Sequence, residues 1–390
     1  MKILSRHNDV VWVDYHGTRR PGITRADLKA GCYVLRRFAR GVRRVSPTLR
    51  QVTPLVIPGV GQGPLRWLHE RLLIAQIRRA VRGVAGRTEK PLQVWSFAPD
   101  VPFLAGRLGE EWFVYYCVDE YSQFEGIDVE RIRAVEGEMI RRADMVVTTS
   151  EPLLRSKRLQ RSDALLMRHG VEFDHFAAAW RGSPALPRDL AAVPKPVFGF
   201  FGLIQFWIDC RLIADVASLR PDYSFVLIGD CAMDVSPLRR LPNVHLLGRR
   251  PYDSLPAYCA GFSAGLMPFK RSVMTQNVNP IKMYEYLAAG LPVVSTPLPE
   301  AERLRGPILI AEDAEAFAQA CDQVLDTNYP GRRKAISRIV EHESWLSKVE
   351  QLSEVIQQRL GQTAKMATMP VERVGLPGAV APQVEVELVR

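Results

Sequence analysis

Cysteine is sparse and scattered. The 390 residues hold six (Cys32, Cys117, Cys210, Cys231, Cys259 and Cys321), and no C-x-x-C pair occurs. That spacing argues against a zinc site and against a disulfide framework, and a reducing cytosol is the expected compartment. The seven histidines form no H-E-x-x-H or similar ligand spacing, and there is no D-x-D triplet to hold a bridging cation, so no metal is called for. No secretory leader is read, and no run of about 18 apolar residues, so no membrane span is expected. Acidic residues are scarce at the front. Residues 1–90 carry 19 Lys/Arg against 5 Asp/Glu, a net +14 in a chain whose total is +10. The basicity belongs to one region and points to an anionic partner for that region alone.

What is present is ordinary in bulk: 47% hydrophobic and 24% charged, in a length comfortable for two domains. Residues 17–50 are rich in arginine. In "VLRRFARGVRRV", Val34, Leu35, Phe38 and Val42 alternate with arginines, an amphipathic basic segment. It reads either as a solvated face or as a patch for an anionic membrane surface. No helix-turn-helix, zinc-finger or RNA-binding signature accompanies the charge, so nucleic acid is not expected as a partner.

Along the chain, strands alternate with helices, which predicts parallel sheets covered on both faces. The first clear strand is "DVVWVDY", Asp9–Tyr15. A doubly wound domain opens with a strand and then a helix. Here the strand that should precede Asp9 is missing, or is encoded upstream. The expected organisation is a first domain over 1–180, a proline-rich linker over 181–196 and a second domain over 197–342. A terminal helix follows over 343–360, and a flexible tail over 361–390.

Ligands of an open parallel sheet collect beyond the carboxyl ends of its strands. "NVNPIKMYEYLAAGLPVVST", Asn277–Thr296, reads as loop, helix, glycine stop and strand. Asn279 and Pro280 suit N-cap and N1. Ile281, Tyr284 and Leu287 form an apolar stripe, with Lys282 and Glu285 away from it. A helix N-terminus attracts phosphate, Lys282 adds charge, and Glu285 can accept from a ribose diol. A surface ion pair between the two is the plain alternative. Gly202, after the strand "VFGFF", permits close approach of backbone to phosphate. Asp119 and Glu120 follow the buried strand "WFVYYC", and one of them can bind or deprotonate an acceptor hydroxyl. Structural roles are expected for His169 and His175.

"NPIKMYEYLAAGLPVVST" resembles the nucleotide-sugar signature of GT-B glycosyltransferases of the large retaining group. "MRHGVEFDHF", "ADMVVTTSEPL", "FGFFGLIQFWIDCRLI", "SFVLIGD", "NVHLLGRRPYDSLPAY" and "ESWLSKVEQL" are similar to successive parts of that group, in order. "YYCVDEYSQF" resembles the subset of teichuronic acid glycosyltransferases. The resemblance implies an α/β GT-B fold: two doubly wound Rossmann-like domains facing a cleft, with a C-terminal helix crossing back to the first. It implies transfer of a sugar, with retention, from a nucleotide diphosphate donor, UDP-sugar first among them, to a lipid-linked or glycan acceptor. The donor is a co-substrate, and no cofactor is implied.

Residue by residue, the resemblance gives Glu285 the donor ribose, Lys282 the diphosphate, and the backbone of Val278, Asn279 and Pro280 the sugar or phosphates. Asn277 stands where the group places a glutamate facing the donor sugar. Gln205, Trp207 and Asp209 stand where an Arg and a Lys are usual, so charge compensation falls to Lys282, Arg249 and Arg250. The implied catalytic set is Asp119, Asn277 and Lys282, with Glu120 beside Asp119 on the acceptor side. Docking on the inner membrane leaflet through residues 17–50 is expected. A nucleotide-sugar epimerase and a catalytically silent scaffold on the same fold are the alternatives.

Overall fold

A computed structural model describes residues 3–15, 25–56, 66–85, 91–124, 126–182, 184–327, 331–367 and 384–389. They form two compact units. One holds the chain to Met167 and again from Gln351; the other runs from Arg168 to Glu350. The expected boundary at residue 180 and the linker after it are therefore displaced. The helix Phe173–Arg181 is part of the second unit, because Phe173, Phe176, Ala177 and Ala179 join that unit's core.

The first unit is built on an eight-stranded sheet. Its order is Arg43–Arg44, Leu49–Val52, Asp9–Asp14, Val384–Val389, Leu92–Ser96, Trp112–Cys117, Met145–Thr148 and Leu165–Leu166. Neighbours are parallel except the first pair. The central strands are apolar at almost every position because both faces are covered. In Trp112–Cys117, Phe113, Tyr115 and Cys117 enter one core while Val114 and Tyr116 enter the other with Trp112, as a two-residue period requires. Leu352 and Ile356 of the helix Trp345–Ala367 cover that second face.

Two described stretches of the expected flexible tail, 361–367 and 384–389, are regular secondary structure. The helix continues to Ala367, and Val384–Val389 is a strand inserted between Asp9–Asp14 and Leu92–Ser96. "VEVELV" alternates apolar and acidic residues with β-branched valines, a pattern that fits a pleated strand.

The second unit has six parallel strands in the order Val244–Leu246, Ser224–Ile228, Val197–Phe201, Ala264–Met267, Val293–Ser295 and Ile308–Ile310. The chain moves outward from Val197–Phe201 on one side, then returns to its other side at Ala264–Met267. Val197–Phe201 is thus the strand at the topological switch point, and its carboxyl end is where a ligand crevice forms. Among the described residues no helix is long and apolar enough to cross a membrane.

Candidate functional site

The helix Ile281–Ala288 delivers the site residues, and its docking explains their positions. Gly265, on the neighbouring strand, leaves room for Tyr286: a Cβ there would lie 2.3 Å from the ring. Tyr286 Oη accepts the Phe201 N–H at 3.1 Å, which ties the helix to the end of the switch-point strand. At the other end, Trp180 Nε1 and Ser337 Oγ both donate to Ala288 O. The helix begins one residue later than expected, with Pro280 as N-cap and no side-chain cap. Asn279 is buried and donates to Tyr284 Oη at 3.4 Å instead. Tyr284 Oη also accepts from Arg303, which meets Glu300 and Glu343, and Arg168 pairs with Glu300 at 2.6 Å. A polar network therefore anchors the Asn279 side chain at a helix start that has no side-chain cap.

Lys282, Gly202 and Glu285 come together. Gly202 follows the switch-point strand with φ +136°, and a Cβ there would lie 2.3 Å from Lys282 Cε and 2.7 Å from Nζ. Only glycine suits both the backbone angle and the passing lysine. Lys282 Nζ sits 5.7 Å from the centroid of the Phe200 ring, and burial lowers its affinity for a proton. Glu285 is not on an exposed face as the periodicity suggested. It is 6% exposed, and no ion pair within 4.0 Å joins it to Lys282. The surface-pair alternative thus fails. Burial pushes the Glu285 carboxyl up to about 7; Lys282 acts downward and Glu172 upward. Because the folded value is raised, this group's stabilising contribution is complete below its unfolded value and is lost as pH rises through about 7. A carboxylate held this way, without a cation in contact, is poised to accept hydrogen bonds from a ligand.

The remaining expected donor residues are placed less uniformly. Arg250 is half-buried and already engaged by a carboxylate. Its Nη2 and Nε bond Asp189 at 2.7 and 3.1 Å, and Nε also meets Tyr258, so its charge is already compensated. Its partner lies far upstream, out of reach of local sequence reading. Arg249 is exposed, 3.9 Å from Asp230. Gln205 O accepts from Ile208 N, and the loop that follows is zipped to the next strand's end through Asp209 N to Pro268 O and Lys270 N to Trp207 O. Asp209 caps the helix Cys210–Leu219. Asn277 ends the helix Val273–Asn277, and its Nδ2 donates to Val273 O at 2.7 Å.

Two groups were missed as individuals, though both sit in the quoted motifs. Glu172 reaches Glu285 electrostatically, and burial, followed by both of these carboxylates, raises the Tyr252 phenol well above the usual range. His175 stacks on Tyr252 with ring centroids 4.9 Å apart and meets Phe176 edge-on. His169 is half-buried, edge-on against Trp345, and desolvation drives it down to about 4.

In the first unit, Asp119 and Glu120 follow Cys117 as expected, but their settings differ. Glu120 accepts from Ser122 Oγ at 2.7 Å and pairs with Lys157 at 3.4 Å. Lys157 is 3% exposed and also binds Glu136 at 2.8 Å, which in turn accepts from Tyr115 at 2.7 Å. Burial acts against the Lys157 charge, but the carboxylates of Glu136 and Glu120 more than reverse it, so it stays protonated. Glu120 is thus a loop-closing residue. Lys157→Met is expected to leave buried Glu136 without its cation and to lower stability by about 3–5 kcal/mol. Urea unfolding checks this, and an unshifted midpoint would show the network to be dispensable.

Comparison with known proteins decides the family. A family profile described as "Glycosyl transferases group 1" matches residues 195–327, most of the second unit. TuaH of Bacillus subtilis (strain 168), assigned by name to teichuronic acid biosynthesis as a glycosyltransferase, is 31% identical over 274 residues, covering 63% of this chain and 67% of TuaH. The chain belongs to the group 1 glycosyltransferases. Among solved structures, Anabaena HepE in complex with UDP and glucose superposes with TM-score 0.60 at 16% identity, covering 90% of this chain and 100% of HepE. The trehalose 6-phosphate synthase of Burkholderia multivorans gives 0.61 at 12% identity, covering 94% and 100%. These two show the GT-B fold of this glycosyltransferase.

Proposed function

We propose that this glycosyltransferase moves a sugar from UDP to a hydroxyl of a lipid-linked or glycan acceptor in cell-envelope polysaccharide synthesis, with retention. The observation that carries the donor half is buried Glu285 one turn beyond Lys282, which crosses Gly202 at the switch point. Glu285 accepts from the ribose diol. Lys282 and the free N–H groups at the start of Ile281–Ala288 stabilise the diphosphate as the bond from the anomeric carbon to its oxygen breaks. The new bond forms to the acceptor oxygen, whose proton leaves to the departing phosphate or a nearby base. Asp119 is the acceptor-side group, and Asn277 and the Val278–Asn279 backbone orient the sugar. UDP in the HepE complexes supports the choice of base; the TuaH likeness supports the acceptor class. No observation favours an epimerase.

The arginine-rich segment supports docking on an anionic membrane surface. Leu35, Phe38, Val42 and Val45 are all exposed between Arg36, Arg37, Arg40, Arg43 and Arg44. Residues 17–24 of the expected patch lie outside the described residues.

Calorimetric titration with UDP, GDP and ADP tests the donor reading. UDP should bind saturably, and Glu285→Ala should weaken it by about 10- to 100-fold, the worth of hydrogen bonds to a charged group. Binding requires the carboxylate, so affinity should rise with pH up to about 7, by no more than tenfold per unit, and flatten above it. A Glu285→Ala chain that binds UDP as well as the parent would sink this assignment.

A further inference from the structure

The first unit carries a concave site of its own. Arg71, Ile74, Ala75, Arg78, Arg79 and Arg82 recur at three- and four-residue steps along the helix Arg66–Ala85, so they share one face. With Arg107 from a separate loop they line a pocket of about 530 Å³, within the size range of small-ligand sites. Buried Ile74 forms part of its wall. Arg78 Nε donates to Arg107 O at 2.8 Å and fixes the two sides together.

Charge in this pocket is out of balance. Glu70 is bonded to Arg66 at 2.7 Å and lies 3.7 Å from Arg107. Among the described residues, Arg71, Arg78, Arg79 and Arg82 have no carboxylate partner. A helix C-terminus accounts for one cation, Arg82. It does not account for the others, which repel one another along a single concave face. Arg and Lys are not equivalent here: every cation lining the pocket is an arginine, the residue that grips phosphate through two parallel N–H bonds. At the N-terminal end of the same face, Trp67, Leu68 and Leu72 are exposed at 55%, 36% and 42%. The Arg71 guanidinium lies 5.3 Å from the Trp67 ring centroid. Apolar side chains beside a cationic pocket match a ligand with a phosphate head and an apolar tail.

We infer that this pocket binds a phosphate group carried on a lipid. The site is distinct from residues 17–50 and does not rest on the donor reading. Site-resolved arginine modification tests it on the full chain. Phenylglyoxal adducts at Arg71, Arg78, Arg79 and Arg107 are followed by mass spectrometry at constant ionic strength. The probes are phosphatidylcholine vesicles, the same vesicles with phosphatidic acid, vesicles of equal charge made with oleate, and free pyrophosphate. Phosphatidic acid vesicles should slow modification at least fivefold, and neutral vesicles less than twofold. Protection by pyrophosphate alone would keep the phosphate site and overturn its lipid source. Equal protection by oleate vesicles, or none by any probe, would overturn the site. Arg71→Gln/Arg79→Gln, both at exposed positions, should lower retention on phosphatidic acid vesicles at least tenfold while leaving the UDP titration of the same sample unchanged. Retention unchanged in that variant would also overturn the site.

Discussion

Lys282→Met is expected to lower kcat by about 10²–10³-fold, the usual cost of losing one group that stabilises charge on a leaving oxygen. The argument rests on where the amine lies. It crosses Gly202 at the end of the switch-point strand, and its contacts there are to a glycine and the Phe200 ring. Burial lowers its proton affinity, with Glu285 acting in the opposite direction. An arriving diphosphate would favour the charged form further, so the interaction is strongest when charge develops on the leaving group. Methionine keeps the length and the packing on Phe200, and folding should survive. Initial rates with a UDP-sugar, read as UDP released, separate kcat from KM. A loss confined to KM would make Lys282 a ground-state binder. A kcat within twofold of the parent would remove it from the chemistry.

Gly202→Ala tests the same geometry from the other side. The strained φ and the 2.3 Å approach to Lys282 Cε act together, so alanine must displace the lysine even where the strand stays intact.

How far the sequence reveals this site depends on the distance over which each residue is satisfied. Ser150 caps the helix Glu151–Arg158 by accepting from Leu153 N, three residues on, a link short enough for local spacing to carry. The helix around Lys282 was legible from its apolar stripe and from Gly290 behind it. The burial of Glu285 was not, because a helical period shows one stripe and this helix is packed from Met283 to Ala288. Arg250 was misplaced because Asp189, its partner, comes from a segment read as linker. Glu120 was set beside Asp119 as a candidate, yet its cation is Lys157, on a helix that local spacing does not connect to it. The parallel alternation of the fold was plain in the sequence, while the strand at the far end was not. A run of "VEVELV" after many Pro and Gly residues carries a strand's period but says nothing of which gap it fills.

That strand supports the second large prediction. Val384–Val389 pairs on one side with Asp9–Asp14, placing Val386 against Val11, and on the other with Leu92–Ser96, placing Val386 against Val94. The two flanking strands are not neighbours in the sheet order. Remove the inserted strand and the eight-stranded sheet divides, leaving two open edges whose N–H and C=O groups lose their partners. Each lost backbone bond is worth about 0.5–1.5 kcal/mol net, so a ladder paired on both sides contributes a large part of a domain's stability, typically about 5–15 kcal/mol. A chain ending at Gln383 is expected to exchange the amides of Val10–Val13 at least 100-fold faster, and to aggregate through the exposed edges. Val386→Pro should act in the same direction without shortening the chain, since proline cannot donate and is not tolerated in a central strand. The second unit supplies an internal control. Glu285, Lys282 and Gly202 all lie between Arg168 and Glu350, so UDP affinity should persist in whatever fraction remains soluble. Unchanged exchange at Val10–Val13 in both variants would mean that the sheet closes without the C-terminal strand.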